Sequence, residues 1–184
     1  MNKKKNRPAI LGVSALGLCL IACLGIGVAI TLAPNIYQYS LENSSLDVGE
    51  AAPDFELVSV DGDPVRLSRF KGQPVLMSIG ASWCPDCRIE APLLQELHVL
   101  HPELVILLID SNESAEIVQR FVDDFGMTHP VLLDRDGGVM ELYQVFAIPT
   151  ELFIDADGII RAKLIESVTP QLLAEKLPLI GVKP

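Results

Sequence analysis

Positive charge is scarce in this chain once its first seven residues are passed. The 184 residues hold 14 lysines and arginines against 24 aspartates and glutamates, a formal charge of −10. Four of the basic residues, Lys3, Lys4, Lys5 and Arg7, stand together at the start, so the rest carries 10 basic residues against 24 acidic ones, or −14. A body this acidic repels phosphate backbones, which argues against a nucleic-acid partner. It argues equally against adsorption to an anionic membrane surface. Most of this acid reads as a solubilising surface. Histidine is scarcer still: His98, His101 and His129 are the only three, and none stands at paired ligand spacing with another. Repeats and low-complexity blocks are absent. Hydrophobic residues are plentiful at 49%, enough for one domain of ordinary size plus an extra segment.

That extra segment is N-terminal. From Ala9 to Ala33 there is no charged residue. As a helix this run is about 38 Å long, enough to cross a hydrocarbon core of about 30 Å. The basic cluster before it places residues 1–8 in the cytoplasm, 9–33 as an uncleaved single-pass anchor, and everything after Pro34 outside. Residues 34–46 are polar, lack periodicity and read as a tether; residues 47–184 form the exported domain. A cleaved secretory signal fits less well, because the run is long and its one small-residue site, "TLA", is followed by Pro34. "LIAC", Leu20 to Cys23, is similar to a bacterial lipobox with Cys23 as the lipidated residue. The ten apolar residues that follow leave this reading second to the anchor. Cys19 and Cys23 share a helix face and read as small apolar residues. All three readings put the domain on the periplasmic or extracellular face, where disulfides persist.

The exported part alternates strand and helix patterns. "DFELVSVDGDPVRLSRF" reads as a hairpin turning at Asp61-Gly62. "PVLMSIGA" and "ELVILLID" are near-continuous apolar runs, as strands covered on both faces are. Residues 84–101 read as a helix, with Leu93, Leu94, Leu97 and Leu100 at helical spacing. "SAEIVQRFVDDFG" is an amphipathic helix, capped by Ser111 or Asn112 and closed by Gly126. "PVLLD" is a strand and "GGVMELYQVF" a short helix. "TELFID" and "IIRAKLI" form a hairpin across "ADG". Thr169 and Pro170 open a last helix. The order implies an α/β domain with a mixed central sheet flanked by helices. The "DRDGG" and "DADG" stretches lack the further ligands of a calcium loop and read as turns.

The chemistry concentrates in "ASWCPDCRIEAP", residues 81–92. Cys84 and Cys87 as half of a zinc site would need a second ligand pair, which the histidines do not provide. As a staple they would close a tiny loop and constrain little. A redox pair fits the setting, because the motif follows a buried strand and opens a helix. Unpaired N–H groups and the helix dipole at that start favour an anion on Cys84, and the thiolate is the nucleophile. Cys87, one turn on and facing inward, can attack a mixed disulfide at Cys84. Pro85 suits the first turn, and Trp83 offers a flat apolar surface beside the pair.

This arrangement resembles the thioredoxin superfamily, in particular its membrane-anchored TlpA/ResA-like branch. The resemblance runs from about Leu46 to Gly181. It rests on "APDFELVSVDGDPVRLSRFKGQPVLM", "ASWCPDCRIEAPLLQEL", "FGMTHPVLLDRDGGVMELYQV" and "FAIPTELFIDADGIIRAKL". It implies a thioredoxin-like fold with an N-terminal hairpin and a central insertion. Cys84 would attack and Cys87 would resolve. Pro149 would be the cis-proline facing the disulfide, and the backbone of Ile148 would leave an edge for a substrate chain. Glu90 matches an acidic residue of the ResA-like pattern that influences cysteine protonation, and Pro92 one that kinks the helix. Thioredoxins carry a buried aspartate six residues before the first cysteine. Here that position is Ser78, which makes Glu90 the better proton acceptor. Gly80 leaves a less bulky floor than the family's aromatic pair. Asp86, between the cysteines, disfavours the thiolate and tips the expectation towards a reductant.

The resemblance implies an exported thiol–disulfide oxidoreductase that reduces disulfides of other exported proteins, with cytochrome c maturation as the setting. It further implies a membrane thiol–disulfide electron donor, a monomer, and no metal or organic cofactor. Two other readings compete with it. "APDFELVSVDG" is also similar to the start of peroxiredoxins, but those need Thr or Ser where Ala81 stands. A non-enzymatic copper-handling protein of this fold would need wider cysteine spacing and a distal histidine.

Overall fold

A computed structural model of the chain describes Leu46 and residues 48–183. The expected anchor over residues 9–33, with Cys19 and Cys23, and the tether up to residue 45 lie outside the described residues. Among the described residues no helix is long and apolar enough to cross a membrane.

The hairpin forms as β1 (Glu56–Ser59) and β2 (Pro64–Arg66). Its turn places Gly62 at φ 96°, a conformation glycine adopts without steric cost. The other strands are β3 (Val75–Gly80), β4 (Val105–Ser111), β5 (Val131–Asp134), β6 (Thr150–Ile154) and β7 (Ile160–Leu164). Together they make one seven-stranded sheet in the order β2-β1-β5-β4-β3-β6-β7. β3, β4 and β5 pair in parallel; the remaining neighbours are antiparallel. The helices are α1 (Pro85–Leu100), α2 (Ala115–Phe125), α3 (Gly138–Leu142) and α4 (Pro170–Lys176).

The continuous apolar runs become the central strands because both faces of the sheet are covered. Leu76, Ile106, Leu108 and Phe153 pack with Ala91 and Leu94 of α1, Phe121 of α2 and Leu173 of α4. The alternate residues Met77, Ile79, Leu107 and Leu152 face Phe55, Val65, Val139 and Tyr143 on the opposite side. Each such leucine or isoleucine contributes on the order of 1.5–3 kcal/mol by leaving water. Every residue of β3 is buried, so the strand that leads into the cysteines is held rigidly.

Two local details depart from the expected pattern. Ser111 and Asn112 do not cap α2. Ser111 stays in the ladder opposite Asp134, Asn112 turns into the left-handed region at φ 63°, and Ser114 becomes the cap residue. The helix expected over "GGVMELYQVF" spans five residues only. Asp134 starts it, its carboxylate accepting the N–H groups of Val139 and Met140.

Candidate active site

Cys84 is the cap residue of α1. Its backbone is extended, with φ −75° and ψ 119°, and its Sγ accepts the N–H of Cys87 at 3.2 Å. Pro85 takes the first helical position, where its missing N–H leaves no bond unmade. Cys84 and Cys87 are joined as a disulfide across a Cα–Cα distance of 5.2 Å. Both sulfur-bearing residues are buried, whereas Trp83 just before them is 68% exposed. The same N–H that meets Sγ here would hydrogen-bond a Cys84 thiolate in the reduced protein, which is the stabilisation a nucleophilic sulfur needs.

Beneath the pair, the end of β3 is stripped of side chain. A Cβ on Gly80 would lie 2.9 Å from Cys87 Sγ. Glycine there lets the helix settle its second cysteine directly on the sheet.

Behind Cys87 lies a group of buried acids. Glu90, one turn along α1, is 2% exposed. Its Oε2 accepts the N–H of Val168 at 3.0 Å, and its Oε1 is 3.3 Å from Ser78 Oγ. Ser78 Oγ is also 2.8 Å from Oε1 of Glu151, which is wholly buried on β6. Burial pushes Glu90 up to about 7, against the pull of the Val168 N–H and the hydrogen bonds from Glu151 and Ser78. Burial, reinforced by the charge of Glu90, raises Glu151 well above the usual carboxylate range.

A second acid pair flanks the site. Asp110 is the next-to-last residue of β4 and pairs in register with Gly80. It is 1% exposed, and neither carboxyl oxygen has a hydrogen-bond partner among the described residues. Burial, then the charge of Glu113, pushes it up to about 8. Glu113 in turn accepts the N–H and the hydroxyl of Ser82 at 2.6 and 2.8 Å, tying down the loop that carries Trp83. Arg88 of α1 donates to the Ser82 carbonyl and lies over the rings of Phe121 and Phe125.

The Ile148–Pro149 peptide bond is cis. Thr150 pairs with Ile79 in the antiparallel β3–β6 ladder, so Pro149 arrives at the level of Gly80, at the cysteine end of the sheet. The Thr150 hydroxyl donates to the Ala147 carbonyl at 2.7 Å and closes this turn. Pro149 is buried, Ile148 half-buried, and Phe146 just before them is 93% exposed.

The structure thus gathers Trp83, Cys84, Pro85, Cys87, Glu90, Ile148 and Pro149 at one end of the sheet. It also brings in Glu151, Asp110 and Phe146, which the sequence reading did not single out. The first two had a signal, since each is a lone acid in or at the end of an apolar run, "TELFI" and "VILLID". Phe146 has none in its own residue type. His98 and His129, far apart in sequence, meet edge to face with ring centres 5.9 Å apart, as packing residues.

The model of the AhpC/TSA family matches residues 48–163. The thiol-disulfide oxidoreductase ResA of Oceanobacillus iheyensis is 32% identical over 164 residues, covering 85% of this chain and 81% of that protein. ResA of Geobacillus kaustophilus is 29% identical over 182 residues, covering 98% of this chain and 99% of its own. A solved structure from Chlorobium tepidum, described as a thiol:disulfide interchange protein DsbE, superposes with a TM-score of 0.69 at 26% identity. It covers 74% of this chain and is itself covered in full.

Proposed function

Since this chain belongs to the AhpC/TSA family and is a thiol–disulfide oxidoreductase of the ResA and DsbE type, we propose that it is an exported, membrane-anchored reductase of disulfides in other exported proteins. In this reading the Cys84 thiolate attacks a substrate disulfide and expels one substrate thiol. Cys87 loses its proton and attacks Cys84 Sγ, which releases the second thiol and leaves the Cys84–Cys87 disulfide. A membrane dithiol then returns two electrons and two protons. Trp83, Pro85 and the Ile148–Pro149 turn receive the substrate chain. The haem-binding cysteines of cytochrome c precursors are the substrate class that the TlpA/ResA resemblance favours.

The observation that carries the direction of electron flow is the concentration of acid around the pair. Asp86 stands in the first turn of α1, and Glu90, held up to about 7 by burial, lies one turn beyond Cys87. Each ionised carboxyl disfavours a thiolate. Strong oxidants depend on a stable thiolate to hold their reduced form. An acidic setting therefore destabilises the dithiol relative to the disulfide, and the protein gives its electrons away. Export and anchoring are supported by the charge-free run after the basic cluster, and by the Geobacillus alignment, which extends over 98% of the chain.

The test is the reduction potential of the purified full-length chain, measured against a thiol–disulfide buffer. A value nearer to about −270 mV is expected; one nearer to about −120 mV would make it an oxidase. In intact cells, a membrane-impermeant thiol reagent should label Cys84 after mild reduction. Labelling only after the cells are broken open would overturn the topology.

A further inference from the structure

Glu151 stands out on β6. Its neighbours Leu152 and Phe153 fill the two cores, while Glu151 is a carboxyl with no exposure. Its Oε1 meets Ser78 Oγ at 2.8 Å, and its Oε2 has no partner among the described residues. The same hydroxyl faces Glu90 Oε1 at 3.3 Å. A serine hydroxyl has one hydrogen. It can donate to only one of the two carboxyls. Towards the other its oxygen can only accept, and that requires the other carboxyl to be protonated.

Among the described residues the surroundings offer these acids no cation. From α1 come Asp86 and the cysteine pair, and from the loop before α4 the Val168 N–H. β7 presents Leu164 opposite Glu151, and β4 presents Leu108 opposite Ser78. No lysine, arginine or histidine among the described residues forms an ion pair with either glutamate. Two carboxyls so placed cannot both be ionised at neutral pH. Where the thioredoxin pattern has its buried acid, this chain has Ser78. The acid lies one strand across, on β6, and the serine bridges it to α1.

We propose that Glu151, acting through Ser78, makes Glu90 one half of a two-acid proton store that takes the Cys87 proton in the resolving step and returns it when the disulfide is reduced again. This rests on the dithiol-exchange reading given above. In the mixed disulfide, substrate sulfur is bonded to Cys84. The Cys87 S–H bond breaks, and its proton passes to the Glu90 carboxylate. The freed electron pair attacks Cys84 Sγ. The bond from Cys84 to the substrate breaks, and the substrate thiolate leaves with that pair and is protonated by water. The substrate disulfide has gained two electrons and the cysteine pair has lost two. On re-reduction Cys87 departs as a thiolate and recovers its proton from the store. Glu151 is a positioning residue here: it holds its proton while Glu90 titrates and ionises only at higher pH.

The experiment mixes the reduced full-length chain with a small aromatic disulfide that releases a coloured thiolate. The first phase reports attack by Cys84 and the second resolution by Cys87. Between about pH 5 and 10, the wild-type second phase should show two inflections. Glu151→Gln, neutral at every pH, should lose the upper one while the first-phase amplitude is retained. Ser78→Ala keeps both acids but removes a hydrogen bond that favours ionised Glu90, so its lower inflection should move upward. A Glu151→Gln profile that superimposes on the wild type, whatever happens to the melting temperature, makes Glu151 a packing residue and overturns the proposal. Should Glu151→Gln not fold, an unmoved lower inflection in Ser78→Ala overturns it alone. A wild-type chain with no second phase defeats the dithiol reading itself, a separate outcome.

Discussion

Gly80 and Cys87 meet with no room between them: a Cβ on Gly80 would stand 2.9 Å from Cys87 Sγ. Real Cβ atoms do not make such contacts, so Cys87 can lie on the sheet only because β3 ends in glycine. Gly80→Ala should cost about 1–3 kcal/mol in urea unfolding of the oxidised chain, the usual range for overpacking a core. It should also slow resolution by Cys87. In a Cys87→Ala background the obstructing sulfur is gone and the same substitution should cost far less. A coupling below about 0.5 kcal/mol between the two sites would show that they do not collide.

Glu90 lies three residues after Cys87, on the same helix face, and ionises near pH 7 because burial holds its charge back. Above that pH the wild type places a negative charge behind the cysteines, and Glu90→Gln does not. The alkylation rate of the reduced chain should bend near pH 7 in the wild type and lack that bend in the variant. At about pH 8 the variant should react several-fold faster, since a carboxylate that near raises a thiol pKa by on the order of one unit. The stability effect has a definite sign. The folded pKa exceeds the unfolded value, so this contribution is full below about pH 4.5 and is lost as pH rises through about 7. Gln should remove that loss. An alkylation profile identical to wild type would leave Glu90 a packing role only.

Trp83 and Phe146 are large, apolar and largely in water, at 68% and 93% exposure, on two loops at the cysteine end of the sheet. Aromatic side chains held in water beside a reactive bond are suited to anchoring a protein partner. Trp83→Ala and Phe146→Ser should each lower kcat/KM towards a protein disulfide by about tenfold, the loss of one modest contact. The rate with a small aromatic disulfide should stay within about twofold. Equal losses on both substrates would mean that the substitutions distort the site instead of removing a docking surface.

How far the sequence reveals this site depends on how local each cause is. The buried strands β3 and β4 are legible because continuous apolar runs are covered on both faces, and the redox pair is legible because its spacing and its place after β3 are local. The cap of α2 is not legible, because Ser111 is held by a cross-strand partner, Asp134, which local pattern does not reveal. Glu151 is illegible for a longer-range version of the same reason. Its partner Ser78 is 73 residues away, and only the β3–β6 register makes a lone glutamate in "TELFI" a buried acid and not a solvent-facing one. Pro149 became legible through resemblance, since nothing in "AIPT" by itself states that the bond is cis.

Asp110 offers the last test, because its cost should be visible in stability alone. Burial, and then the charge of Glu113, pushes it up to about 8, so the folded chain binds a proton there that the unfolded chain has released. The contribution is full below about pH 3.8 and is lost as pH rises through about 8. Asp110→Asn is neutral throughout. Between about pH 5 and 9 it should lose less stability than the wild type, by on the order of 1–3 kcal/mol. The consequence reaches the cysteines through Glu113. Ionised Asp110 repels the carboxylate that holds both the N–H and the hydroxyl of Ser82, one residue before Trp83. The wild-type disulfide should therefore be reduced faster by a small thiol at pH 9 than thiolate chemistry alone predicts, and Asp110→Asn should lose that excess. Urea unfolding across the pH series checks the first part and stopped-flow reduction the second. Parallel pH–stability curves for wild type and variant would show that Asp110 is already ionised in the folded chain at the lower end of this range, with no switch near pH 8 to reach Glu113 and Ser82.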